Sequence, residues 1–279
     1  MDLDLDLRER CAALVEQSES EAPFGTYVLP STDPASELGR IVERIVFGEF
    51  FANTPELLAE EYDPYEASSV FLIVIDRRRL VPAGVSRMIV PSPAGFKSLA
   101  DITRVWNERP DDVIARSGSQ LDLQRCCDIA TLATTADYRG GASEGLVSLA
   151  LYQAIIMSAL GGAMPWLVAV MDLTVIQLLS ERIGSPFSQY PDIEPRVYLD
   201  SPASLPVYVD LIAYGERLAA LDETMHNILF RGTGLEAALH TPDWSHATND
   251  AIARLDIGGT SSLDSGVQTD SISAGRAAG

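Results

Sequence analysis

The chain has 279 residues, 47% of them hydrophobic and 22% charged, a balance that excludes general disorder and can bury a core without disulfides or metals. Its 40 acidic against 20 basic side chains give a net charge of −20, which excludes nucleic acid as a general partner and disfavours anionic membranes. Three cysteines, Cys11, Cys126 and Cys127, make no disulfide framework and fit a reducing, cytoplasmic setting, and the acidic start MDLDLDLRER holds no apolar signal segment.

Residues 1–22 read as an acidic, helical or frayed segment ahead of one domain over 23–257. Residues 24–29 predict a short strand. Asp33 followed by Pro34 predicts a helix start, because an aspartate caps free N–H groups and proline suits the first turn. Leu38, Ile41, Val42, Ile45 and Val46 then recur at helical spacing. A second short helix is expected over 55–61. SVFLIVID at 69–76 is continuously apolar and β-branched, so it predicts a central strand. Arg77, Arg78 and Arg79 read as a solvated hairpin turn, and 85–90 as the returning strand. An insertion at 91–124 carries a helix near 99–107.

Residues 128–134 predict the next strand, 137–141 a turn, and 143–160 a helix. A buried strand over 166–171 and a helix over 174–183, stopped by Gly184, follow. The uncharged run from 146 to 171 is long enough to cross a bilayer, but Gly161, Gly162 and Pro165 split it, so no membrane span is expected. Strands over 196–200 and 206–213, an amphipathic helix over 214–230 and a disordered tail over 258–279 complete the chain. The order predicts an α/β (α+β) fold. Its mixed, mostly antiparallel sheet is flanked by helices, and the strands at 128–134 and 166–171 are parallel neighbours across a helical crossover.

A strand acid followed by a glycine turn and a helix start can offer N–H groups for phosphates, a donor for a developing oxyanion and a route for a proton. Residues 127–151 can supply these: Asp128 is the only acid of its strand, and Arg139, Gly140 and Gly141 lead into a helix beginning at Ser143 and Glu144. Glycines let the backbone approach a pyrophosphate, although the same residues also suit an ordinary strand-to-helix turn. His226, His240 and His246 have no compact ligand spacing, so no metal site is expected. No Gly-x-Ser-x-Gly elbow is present, which argues against a serine hydrolase.

The run DIATLATTADYRGG at 128–141 resembles the fourth strand and acyl-CoA pyrophosphate loop of the GNAT superfamily of N-acyltransferases. Upstream, RIVFGEF at 44–50, EEYDPY at 60–65, VFLIVID at 70–76 and AGVSR at 83–87 resemble, in this order, acyl-homoserine-lactone synthases and the related N-acyl amino acid synthases. The resemblance implies a GNAT-type sheet whose central parallel strands splay apart. It implies an acyl thioester donor, on CoA or an acyl carrier protein, a small amine acceptor and no tightly bound cofactor.

By the same resemblance, Asp128 serves as or positions the base for the amine, and the amine is held near Arg87. Phe47 and Asp63 shape the acceptor side. Leu132, Ala133, Thr134, Arg139, Gly140, Gly141 and Ala142 form the pantetheine and pyrophosphate side. Trp166, Met164, Met171 and Tyr152 read first as core residues, which would also border the cleft where the two central strands splay. Three positions depart from the family pattern: Glu144 at the helix start, Ser180 where a tyrosine acid often stands, and Thr131 in place of an arginine. They keep a second reading open, a non-catalytic acyl-thioester-binding or scaffold protein. For Asp128 the structural alternative is a strand-end hydrogen-bond network, and for Arg87 an ion pair with Asp63 or Glu61.

Overall fold

The computed structural model describes residues 3–139 and 145–257. Helix α1 (Leu3–Val15) leads to strand β1 (Phe24–Pro30). Cys11 and Leu14 of α1 are buried in the same apolar cluster as Phe71 and Val85, so this acidic segment packs onto the fold. Asp33 caps the short turn that opens α2 (Glu37–Phe51), and Thr54 caps α3 (Pro55–Tyr62) through the N–H of Leu57. Strand β2 (Ser69–Asp76) is buried along its whole length, as its unbroken apolar run requires when helices cover both faces. It pairs antiparallel with β1 and with β3 (Val81–Ile89).

The β2–β3 turn is not a simple solvated patch. Asp76 accepts the N–H groups of Arg78 and Arg79, and the Arg77 guanidinium donates to the carbonyls of Ser20, Ala22 and Ser18, tying the N-terminal segment down. The insertion folds as α4 (Lys97–Asp101), a π-helical turn (Ile102–Trp106) and α5 (Pro110–Ser117), where the sequence pattern predicts one helix. Strand β4 (Cys126–Thr134), α6 (Leu146–Gly161), β5 (Trp166–Asp172) and α7 (Leu173–Ile183) follow as expected. Gly140, Gly141 and Ala142, the expected helix start at Ser143 and Glu144, and the tail over 258–279 lie outside the described residues.

The C-terminal part differs more from its expectation. Two residues of β6 (Ser188–Gln189) and the hairpin of β7 (Arg196–Tyr198) with β8 (Ser201–Asp210) close the sheet on that side. Leu199 and Asp200 form the hairpin turn at φ 45° and 63°. Asp210 caps a helix by accepting from Ile212 and Ala213, so β8 ends there and α8 (Leu211–Leu221) begins where a strand was expected to continue. Asp222, at φ −150°, then breaks the predicted single helix and caps α9 (Glu223–Arg231) through the N–H of Met225. Strand β9 (Leu239–His240) and α10 (Trp244–Ala253) end the described chain.

The sheet runs β6-β8-β5-β4-β3-β2-β1-β9, with β7 also on β8. Only β4–β5 and the short β1–β9 pair are parallel among the described strands. Helix α2 packs on one face over Phe71, Ile73 and Val85, while α6 covers the other over Val70, Leu72 and Met88. No described helix is long and apolar enough to cross a membrane.

Candidate active site

Strands β4 and β5 pair over three residues only: Cys126 with Trp166, Cys127 with Leu167 and Asp128 with Val168. Beyond that point β4 continues to Thr134 held by β3 alone, and β5 continues to Asp172 held by β8 alone. A β-bulge sits at the place of divergence. Arg87 faces Thr131 and Met88 faces Ile129, so Ala130 is an extra residue that bends β4 where its ladder with β5 stops.

The parting strands open a cleft of ≈ 220 Å³. Residues 129–132 of β4 form one wall, and 167–172 of β5 form the other. The cleft passes through the sheet. On the α6 and α7 side it meets Tyr152, Ile155 and Leu179, and on the α2 side Phe47, Tyr62 and Tyr198. Its surface is mostly apolar, as the Val, Ile and Leu content of these elements dictates.

A buried ionic network borders the α2 side. Arg87 donates to both oxygens of Glu43 (2.9 and 2.7 Å), to Glu66 (2.6 Å) and to Ser69 (3.3 Å), and its guanidinium lies over the rings of Phe71 and Tyr62. Burial works against its charge, but Glu43 and Glu66 override that and hold its proton more tightly than usual. Thr131 donates to Glu43 at 2.8 Å, and Arg40 closes the group by pairing with Glu66. Arg87 is thus a structural partner of Glu43 and Glu66, not of Asp63 or Glu61, and it does not line the cleft. Nearby, Lys97 is buried between Glu61 and Asp101 at 2.7 Å each, and Tyr198 donates to Asp101 at 2.6 Å. Tyr62 joins the two networks, with Arg87 and Lys97 over its ring and its hydroxyl donating to the bulge carbonyl of Ala130 at 3.4 Å.

Asp128 stands where the ladder ends, but its side chain points away from the opening. It is completely buried and accepts the N–H and the hydroxyl of Ser98, each at 2.6 Å. It therefore caps α4 from a distance of 30 residues in sequence. Burial pushes its carboxyl up to about 6, against the pull of Ser98 and Lys97. It is not among the residues that line the cleft, so the expected direct contact with the amine is replaced by support of α4.

The remaining expected positions divide. Phe47 and Leu132 line the cleft, whereas Ala133 packs under α2 and Thr134 pairs with Gly84 at the far end of β4. Trp166 pairs with Cys126 and Asp210 at the closed end and does not reach the opening. Asp63 is exposed at the start of a short 3-10 turn. Arg139 donates to the Thr134 carbonyl at 2.6 Å and stacks on Phe50, beside the undescribed glycines.

Tyr62, Tyr198, Asp172, Ser201 and Ser204 line the cleft without having been singled out in the sequence. Asp172 had a legible signal: it ends an apolar strand two residues before Thr174, the pattern of a helix cap, and its side chain accepts the Thr174 N–H at 2.6 Å. Tyr198, Ser201 and Ser204 depend on the β7–β8 hairpin folding back, and Tyr62 on the way α3 meets the bulge of β4, neither of which a local pattern announces.

No family model and no curated protein matches the sequence. Among solved structures the chain is similar to FeeM, an N-acyl amino acid synthase from uncultured soil microbes, with a TM-score of 0.50 and 12% identity, covering 69% of this chain and 93% of that one. It is also similar to the AHL synthase LasI (TM-score 0.46, 12% identity, 68% of this chain and 91% of that one). A third is the CoA-dependent acyl-homoserine lactone synthase BjaI (TM-score 0.43, 15% identity, 80% and 98%). At such identities the likeness is one of fold. With its mixed sheet, the β4 bulge and a parallel pair that parts after Asp128, the chain shares the fold of the N-acyl amino acid synthase FeeM.

Proposed function

We propose that the chain is an N-acyltransferase that moves an acyl group from an acyl thioester, on CoA or an acyl carrier protein, to a small amine. The supporting observation is the opening between β4 and β5 past Asp128 and Val168. Strand edges that face each other without pairing leave backbone N–H groups free to grip an extended donor and to polarise its carbonyl. The β4 residues that line the cleft are 129–132, so the polarising N–H groups belong beside the Ala130 bulge, upstream of Ala133 and Thr134. The amine nitrogen attacks the thioester carbon, the carbon–sulfur bond breaks, the thiolate leaves, and the amine proton passes to the thiolate or to water. With Asp128 sealed behind Ser98, this proton leaves without a direct contact to that carboxylate.

The purified chain should release thiol from acyl-CoA donors, from acetyl to palmitoyl, only when an amine is present, and mass spectrometry should find the amide. A second reading, a non-catalytic acyl-thioester-binding protein, is favoured by the enclosure of Asp128. Tight donor binding without thiol release across donors on CoA and on acyl carrier protein, under a broad amine panel, would select it.

A further inference from the structure

We infer that the acceptor is a small diamine-type cation without a carboxylate, one of whose ammonium groups is held by Asp172; the inference rests on the acyl-transfer reading above. Among the described residues that line the cleft, Asp172 is the only one with a formal charge. Among the described residues, no lysine, arginine or histidine lines it. At its polar side Arg87 is committed to Glu43 and Glu66, and Lys97 and Arg104 to Glu61 and Asp101, while the charge of Arg182 acts on Tyr152 on the α6 and α7 side. An amino-acid acceptor would bring its carboxylate to a largely apolar wall with no cation to meet it and an aspartate nearby, which is costly at low effective dielectric. A cation meets the opposite situation, and the acidic surface of the whole chain favours its approach.

The Asp172 carboxylate is built to receive such a group. Ser201 donates to one oxygen and the Thr174 N–H to the other, both at 2.6 Å, and Ser201 is itself held by Ser204 at 2.8 Å. Ser201 and Ser204 are buried, so the carboxylate is fixed from behind while Asp172 itself stays half-exposed on the cleft wall. The Thr174 hydroxyl and the Val175 N–H also act on this carboxylate, and its half-exposed edge is what remains for an ammonium. Desolvation raises the Asp172 carboxyl, but the hydrogen bonds from Ser201 and Thr174 outweigh it and hold the group below its ordinary range. A carboxylate this weakly basic suits an anchor better than a proton acceptor. One ammonium of the acceptor therefore stays charged on Asp172, and a second amine attacks.

The test uses the full chain with dodecanoyl-CoA and three matched acceptors: cadaverine, lysine, which adds a carboxylate, and pentylamine, which lacks the second cation. Cadaverine is expected to exceed each of the others by about tenfold or more in kcat/KM. Asp172→Asn keeps the helix cap, because asparagine also accepts the Thr174 N–H, and removes the charge. It should raise KM for cadaverine about tenfold, erase the advantage over pentylamine and leave KM for dodecanoyl-CoA unchanged, while Asp172→Glu restores part of the preference. Lysine used as well as cadaverine, or an unchanged preference in Asp172→Asn, overturns the inference while leaving acyl transfer standing. If no acceptor releases thiol, the transfer reading falls, and calorimetric binding decides the anchor separately. Cadaverine binding that is lost in Asp172→Asn and absent for lysine keeps it; equal binding of the two ends it.

Discussion

Asp128 takes both of its side-chain hydrogen bonds from a single residue, Ser98, whose N–H and hydroxyl reach its two oxygens at 2.6 Å each. Burial pushes the carboxyl up to about 6 in the folded chain. The same group in the unfolded chain titrates at about 3.9. Folding thus takes up a proton in this window, so the group's contribution is fully present below about pH 4 and is lost as pH rises through about 6, by roughly 3 kcal/mol. Asp128→Asn should flatten that part of the stability profile while keeping an acceptor for the Ser98 N–H. Urea midpoints for the two proteins between about pH 4 and about pH 7 check this; parallel curves would refute it.

The Arg87–Glu43 pair is buried on both sides and doubly hydrogen-bonded. Glu43→Ala leaves the guanidinium with one carboxylate fewer in a dry site and should cost about 3–5 kcal/mol in denaturant unfolding. Glu43→Met combined with Arg87→Met removes both charges together and should cost clearly less than the sum of the single changes. Additive losses would mean that the two side chains are not coupled.

Ala169 is the first residue of β5 beyond the ladder, buried on the cleft wall against Leu205 and Val207. Phenylalanine there should occupy the opening. Ala169→Phe is expected to weaken acyl-CoA binding by at least about tenfold, measured by calorimetry, with a stability cost of about 1–3 kcal/mol from overpacking. Undiminished affinity would remove the donor from this cleft.

Gly39 sets how closely α2 approaches the sheet. A Cβ on it would lie 2.6 Å from Cδ1 of Phe71 and 3.1 Å from Val85, and Phe71 is itself held beneath the guanidinium groups of Arg40 and Arg87. Gly39→Ala should therefore destabilise by about 1–3 kcal/mol even though alanine favours a helix by about 1 kcal/mol. A raised melting temperature would show that α2 can shift outward without loss.

The strands of the sheet were legible because their signals are local. The apolar run at 69–76 is β2 to the residue, and the glycines and proline that split 146–171 do separate α6 from β5. The site was less legible because its polar residues meet across long sequence separations. A single aspartate within DIATLAT marks an important position, but nothing local says that Ser98 will seal it. Arg87 was expected beside Asp63 or Glu61, yet the register of β3 under α2 delivers it to Glu43, 44 residues upstream. The breaks at Asp210 and Asp222 were written in the sequence as helix caps, but the apolar pattern around each runs on and conceals them.

The bulge and the short β4–β5 ladder divide the sheet into two plates, β1–β4 with β9 on one side and β5–β8 on the other, joined by three rungs. Each plate keeps its own pairing up to the rim. A tilt of one plate against the other would break no ladder bond within either and would fall on residues 126–128, where the two plates are still paired.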